Sequence, residues 1–62
     1  MDLSNVQRFD THILLGIINE KLRLECHSLD DLVMTYEIDQ SHLEQKLEAA
    51  GFQYDPLTNQ FR

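Results

Sequence analysis

"SLDDLVMTYEIDQSHLEQKLEAAGF", residues 28–52, is the stretch that decides the fold. Its apolar residues fall at Leu29, Leu32 and Val33, then at Ile38, then at Leu43 and Leu47, with Gly51 and Phe52 following. Spacings of three and four mark one face of a helix. The period breaks once, at Glu37-Ile38-Asp39, which predicts two helices packed across a tight turn with Ile38 plugging the corner. Ser28 is placed to cap the first of them, with Asp31 completing an S-x-x-D arrangement near the positive end of the helix dipole. Either Asp39 or Ser41 begins the next: Asp39 suits the shorter turn, while Ser41 with Glu44 fits a capping box. Leu43, Leu47 and Ala50 continue the core stripe, and Gly51 ends the helix where left-handed backbone costs least. Glu37 takes the corner position at which such motifs usually carry glycine.

Working outward, residues 10–26 read as a first helix. Asp10 can accept from the free N–H groups of the opening turn, and good helix formers follow Gly16. Ile13, Leu14, Leu15, Ile17, Ile18, Leu22 and Leu24 spread over an arc of roughly 220°, wider than the ~100° stripe of a surface helix. Either the other helices and the N-terminal segment cover that arc, or a second copy of the chain does. Residues 1–9 have little periodicity and read as an arm able to pack Leu3, Val6 or Phe9 onto the body. The tail, residues 52–62, alternates large apolar and polar residues about Asp-Pro-Leu-Thr-Asn, the pattern of a hairpin with about three residues per strand. So short a hairpin is not stable alone, so Phe52, Tyr54 and Phe61 must rest on the helices. The expectation is one mainly α domain over residues 1–62: three helices (10–26, 28–37, 39–50), the last two helix-turn-helix-like, closed by a C-terminal β-hairpin in winged-helix order.

Sixty-two residues are near the lower limit for a core that stands alone, and the single cysteine, Cys26, excludes an internal disulfide. Hydrophobic residues make up 42% of the chain, too many for disorder despite the net charge of −6. The longest apolar run, "ILLGII" at residues 13–18, falls far short of the ~20 residues needed to span a bilayer. No basic segment or small-residue cleavage site accompanies it, so a cytoplasmic protein without signal peptide or membrane span is expected.

Charge decides how the helix-turn-helix spacing is to be read. Residues 28–51 carry Asp30, Asp31, Glu37, Asp39, Glu44 and Glu48 against Lys46 alone, so five of the six net negative charges sit where phosphates would have to approach. Gln40, Ser41, His42 and Gln45 can hydrogen-bond base edges, but non-specific affinity comes from cations. The hairpin adds only Arg62, and Arg8, Lys21 and Arg23 lie elsewhere. Direct nucleic-acid binding is therefore not expected, and a transcription-associated role would need dimerisation or a basic partner.

No residue pattern points to catalysis. His12, His27 and His42 lack the i, i+4 spacing that sets two imidazoles on one helical face, so no metal site is expected. Cys26 beside His27 suggests a thiolate, yet sequence neighbours at a helix end do not face each other, and a lone cysteine is usually a small buried hydrophobe. Asp30 and Asp31 are explained by the helix dipole. There is no phosphate loop and no nucleophile elbow, and neither an enzyme nor a cofactor is expected.

Leu14 and Leu15, then Asn19, Lys21, Leu22 and Arg23, then Ser28, Leu29, Asp30 and Leu32, and finally Gly51, Tyr54, Asn59, Gln60 and Phe61 resemble a small bacterial family known as domain of unknown function 4250. The chain departs from that pattern at Gly16 and at Leu24-Glu25. The resemblance spans about residues 12–61 and implies a self-contained domain with no activity to carry over. It draws together Asn19, Lys21 and Arg23 with Asn59, Gln60 and Phe61, either as a shared surface or because Asn19 and Arg23 tie the hairpin down by side-chain to backbone hydrogen bonds. With the outer residues Ile13, Ile17 and Leu24 they form the expected interaction surface, whose occupant is a second copy of the chain or another protein.

Overall fold

The computed structural model describes residues 3–62, and its element order is a 3-10 turn (Val6–Arg8), α1 (Thr11–Leu24), α2 (Leu29–Thr35), α3 (Gln40–Glu48), β1 (Tyr54–Asp55) and β2 (Gln60–Phe61). This is the mainly α architecture with a short antiparallel hairpin that the sequence predicts. Met1 and Asp2 of the expected arm lie outside the described residues.

Each helix begins as its capping residue dictates. Asp10 accepts from the backbone N–H groups of His12 and Ile13 at 3.0 and 3.3 Å. The Ser28 hydroxyl accepts from Asp31 N–H at 3.1 Å, while the Asp31 carboxylate takes the N–H of His27 rather than that of Ser28. Asp39, not Ser41, opens α3 by accepting from His42 N–H at 3.2 Å, and Glu44 instead holds the Gln40 amide at 3.2 Å.

The helices stop earlier than the periodicity suggests, and each ends in a closing backbone bond that spans five residues, from Cys26 to Lys21, Ile38 to Val33 and Phe52 to Leu47. Glu25 and Cys26 N–H both donate to the Lys21 carbonyl, which ends α1 at Leu24. Glu37 adopts φ 55°, and Ile38 N–H returns to the Val33 carbonyl at 2.9 Å, so α2 ends at Thr35. A glutamate thus occupies the left-handed corner position, and Ile38 behind it is buried. Gly51, at φ 91°, closes α3: Gly51 N–H donates to Glu48 and Phe52 N–H to Leu47, the two bonds of a Schellman motif. Ala50 therefore lies exposed in this turn and does not extend the core stripe as its spacing predicts.

The core is built from Leu14, Ile18 and Leu22 of α1, Leu29 and Leu32 of α2, Leu43 and Leu47 of α3, and Ile38, Cys26 and Phe61. Leu3 and Val6 of the arm join it fully and Phe9 partly, and Lys46 Nζ donates to the Gln7 carbonyl at 3.3 Å. The buried stripe of α1 is thus Leu14-Ile18-Leu22, with Leu15 and Ile17 half-buried, while Ile13 and Leu24 are 61% and 62% exposed. Arm and hairpin cover part of the wide apolar arc and leave the rest in solvent. The accessible surface is 4146 Å². A compact monomer of 7.3 kDa is expected to show about 4200 Å². The total exposed area is thus that of a compact monomer.

Candidate functional site

The residues expected to form one surface come together around α1, but as three groups. The first is set by how the hairpin is fastened. Gln53 and Arg62 exchange both backbone hydrogen bonds, at 3.1 and 2.9 Å, and extend the two-residue strands to three on each side. Tyr54 and Phe61 are then opposed in the unbonded register, so their N–H and C=O groups point away from each other's strand. On the outer side of β2 the Asn19 carboxamide meets Phe61: Phe61 N–H donates to Oδ1 at 2.8 Å, and Nδ2 donates to the Phe61 carbonyl at 3.0 Å. A side chain of α1 here takes the place of a third strand.

Asn59 fastens the other end. It holds φ 55° in the hairpin turn, and its Nδ2 donates to the Leu22 and Cys26 carbonyls at 3.0 and 3.1 Å. Its Oδ1 accepts from the Tyr54 hydroxyl at 2.7 Å, and that hydroxyl accepts in turn from Leu29 N–H at 3.3 Å. One asparagine thus links the turn, the end of α1 and, through Tyr54, the start of α2. Asn19 fastens the hairpin as the tie-down reading expects, and Asn59, which that reading does not name, does so as well. Phe61, counted with the interaction surface although the hairpin reading lays it on the helices, is 2% exposed and fills the core beside Tyr54, with ring centroids 5.6 Å apart. It is corrected to a core residue, because its backbone and not its ring faces the α1 asparagine.

Arg23 is the exception to the tie-down reading. It is exposed, and among the described residues it makes no hydrogen bond or ion pair. With Gly16, Asn19, Glu20, Asn59 and Gln60 it lines an open groove of about 580 Å³ between α1 and the hairpin turn.

Lys21 faces away from this groove. Its Nζ lies 2.9 Å from Glu25 Oε2 and 5.3 Å from the centroid of the Tyr36 ring, and the Tyr36 hydroxyl donates to Glu25 Oε1 at 2.6 Å. The hydrogen bond from Tyr36, followed by that from Lys21, holds the Glu25 carboxyl below its ordinary range. The Glu25 bond in turn pushes both Lys21 and Tyr36 upward. This link between the ends of α1 and α2 carries no sequence signal beyond the i, i+4 pair of Lys21 and Glu25, since the distance from Glu25 to Tyr36 is set by tertiary packing.

The third group is the outer strip of α1. Ile13, Ile17 and Leu24 stand at i, i+4 and i+11 on one side of the helix, with Glu20 between Ile17 and Leu24. Cys26 is buried, and burial followed by the nearby charge of Asp31 pushes its thiol upward. His12 stands edge-on to Phe52 at 6.1 Å, and His42 lies 3.7 Å from Asp39. Among the described residues no three histidine, cysteine or carboxylate side chains converge in a metal-binding arrangement, and no helix is long and apolar enough to cross a membrane.

Compared with known proteins, the sequence matches neither a curated protein nor a solved structure. A family model does match, over residues 8–61, the span that contains all three helices, the hairpin and both fastening asparagines. The chain belongs to the family described as domain of unknown function (DUF4250).

Proposed function

We propose that the domain is a non-catalytic protein-interaction module that works through the outer face of α1, and that a second copy of the chain is one occupant of that face. The observation that supports this reading is the outer strip of α1, on which Ile13 and Leu24 are 61% and 62% exposed and Ile17 between them is half-buried. Exposed apolar residues at helical spacing on one face are what a partner helix or a second α1 would bury. The interface is small against the ~800 Å² per partner of a standard complex, so the association is weak and reversible.

Light scattering over a dilution series tests it. The expected result is a mass that rises above 7.3 kDa with concentration and returns to the monomer in Leu24→Glu, with the unfolding midpoint of the dilute variant unchanged. A constant monomer mass at millimolar protein would remove self-association and leave only a heterologous partner.

A second reading, a transcription-associated protein with partner-dependent DNA binding, draws support from the tight turn between α2 and α3 with Ile38 buried behind it. The exposed residues of α3 include Ser41, His42, Gln45 and Glu48, and Lys46 of this helix donates to the Gln7 carbonyl. Absence of a gel shift even at low salt would end this reading for the isolated protein.

A further inference from the structure

The hairpin has two outer edges, and among the described residues only one of them is sealed. On β2 the outward N–H and C=O of Phe61 are both taken by Asn19. On β1 the same register turns the N–H and C=O of Tyr54 away from β2, and among the described residues neither has a partner. The Tyr54 side chain is fixed by Leu29 and Asn59, so the strand that presents these groups is held in place. Tyr54 and Pro56 also line an open groove of about 340 Å³, together with His27 and Asp30 at the start of α2 and Gln40 and Glu44 of α3. Of its two carboxylates, Asp30 is exposed and has no partner among the described residues, and Glu44 accepts from the neutral amide of Gln40. No lysine or arginine lines it.

We propose that the open edge of β1 at Tyr54 is a docking site for an extended segment of another protein that carries a lysine or arginine side chain. The segment adds a third strand through the N–H and C=O of Tyr54, the mode by which exposed sheet edges take up peptides. Its cation enters the groove between Asp30 and Glu44. Charge selects this occupant over a second copy of the chain, because pairing two Tyr54 edges would bring together two grooves lined by carboxylates in a protein of net charge −6. Pro56 has no N–H and ends the edge, so the added strand is short and the cation must supply much of the selectivity. This site does not depend on the outer face of α1 and stands or falls separately from it.

Amide exchange and chemical-shift mapping on the full chain test the proposal. The probes are a capped hexapeptide of alternating threonine and valine with one central lysine, and its counterpart with glutamate in place of the lysine. In the free protein, the Tyr54 amide is expected to exchange at least about ten-fold faster than the Phe61 amide. The lysine peptide slows Tyr54 exchange, shifts its resonance, and binds at least about ten-fold more tightly than the glutamate peptide, a gap that Asp30→Asn narrows. A Tyr54 amide already protected in dilute protein would show that the edge is closed and overturn the proposal. So would unchanged Tyr54 shifts at millimolar lysine peptide. Protection that grows with protein concentration in the absence of peptide would assign the edge to a second copy instead, and equal binding of both peptides would remove the role of Asp30 and Glu44.

Discussion

The carboxamide of Asn19 and the backbone of Phe61, 42 residues apart in sequence, exchange two hydrogen bonds of 2.8 and 3.0 Å as two strands would. Both atoms of the amide are needed, one to accept and one to donate. Asn19→Ala is expected to cost about 1–3 kcal/mol, the range for leaving part-buried polar groups unpaired. Asn19→Asp keeps the acceptor for Phe61 N–H but sets a carboxylate against the Phe61 carbonyl. Its deficit relative to the parent chain should shrink as pH falls and the introduced carboxyl gains a proton it can donate. Urea unfolding at neutral and acid pH checks both, and a deficit independent of pH would refute the two-bond account.

Asn59 combines a left-handed backbone with three side-chain hydrogen bonds, and two substitutions separate these contributions. Asn59→Gly keeps the backbone conformation accessible and loses the bonds, at a cost of about 1–3 kcal/mol. Asn59→Ala loses the same bonds and must also hold φ 55°, so it should be less stable than the glycine variant by about 1 kcal/mol. Equal unfolding midpoints for the two would show that the backbone requirement is negligible.

Glu37 is exposed at φ 55° in the corner between α2 and α3. For an L-residue this conformation costs about 1–2 kcal/mol, and glycine avoids that cost at the expense of extra chain entropy. Glu37→Gly is therefore expected to raise stability by about 0.5–1 kcal/mol, whereas Glu37→Val should lower it. Chemical denaturation of the pair checks the order.

The dependence of stability on pH follows from the Glu25 cluster and from Asp55. The Leu57 N–H, at 2.9 Å, holds the Asp55 carboxyl low, and Tyr36 does the same for Glu25. A carboxyl depressed in the folded state contributes stability above its unfolded value, and that contribution is lost as pH falls through the folded value. Lys21 and Tyr36 are raised, so their contributions hold below their unfolded values and disappear as pH rises through the folded ones. Urea midpoints measured from about pH 2 to about pH 11 should fall at both ends. In Tyr36→Phe the Glu25 carboxyl, followed by carbon-detected NMR, should titrate closer to its ordinary value, and an unmoved titration would refute the assignment.

Local features were determined by the sequence itself. Asp10 and Ser28 cap their helices, Gly51 closes α3, and Leu14, Ile18, Leu22, Leu43 and Leu47 face inward, because hydrogen bonding at helix ends and apolar spacing act within a few residues. The order of three helices and a hairpin follows from them. Tertiary structure alone decided what lies far apart in the chain: that Asn19 pairs with the backbone of Phe61 and Asn59 with the end of α1, and that Tyr36 reaches Glu25. It also chose Asp39 over Ser41 as the start of α3, a choice that rested on how tightly the chain could turn behind a buried Ile38. These outcomes depend on the three-dimensional path that brings one element within hydrogen-bond distance of another, and residue spacing along a single helix or strand carries no measure of that distance.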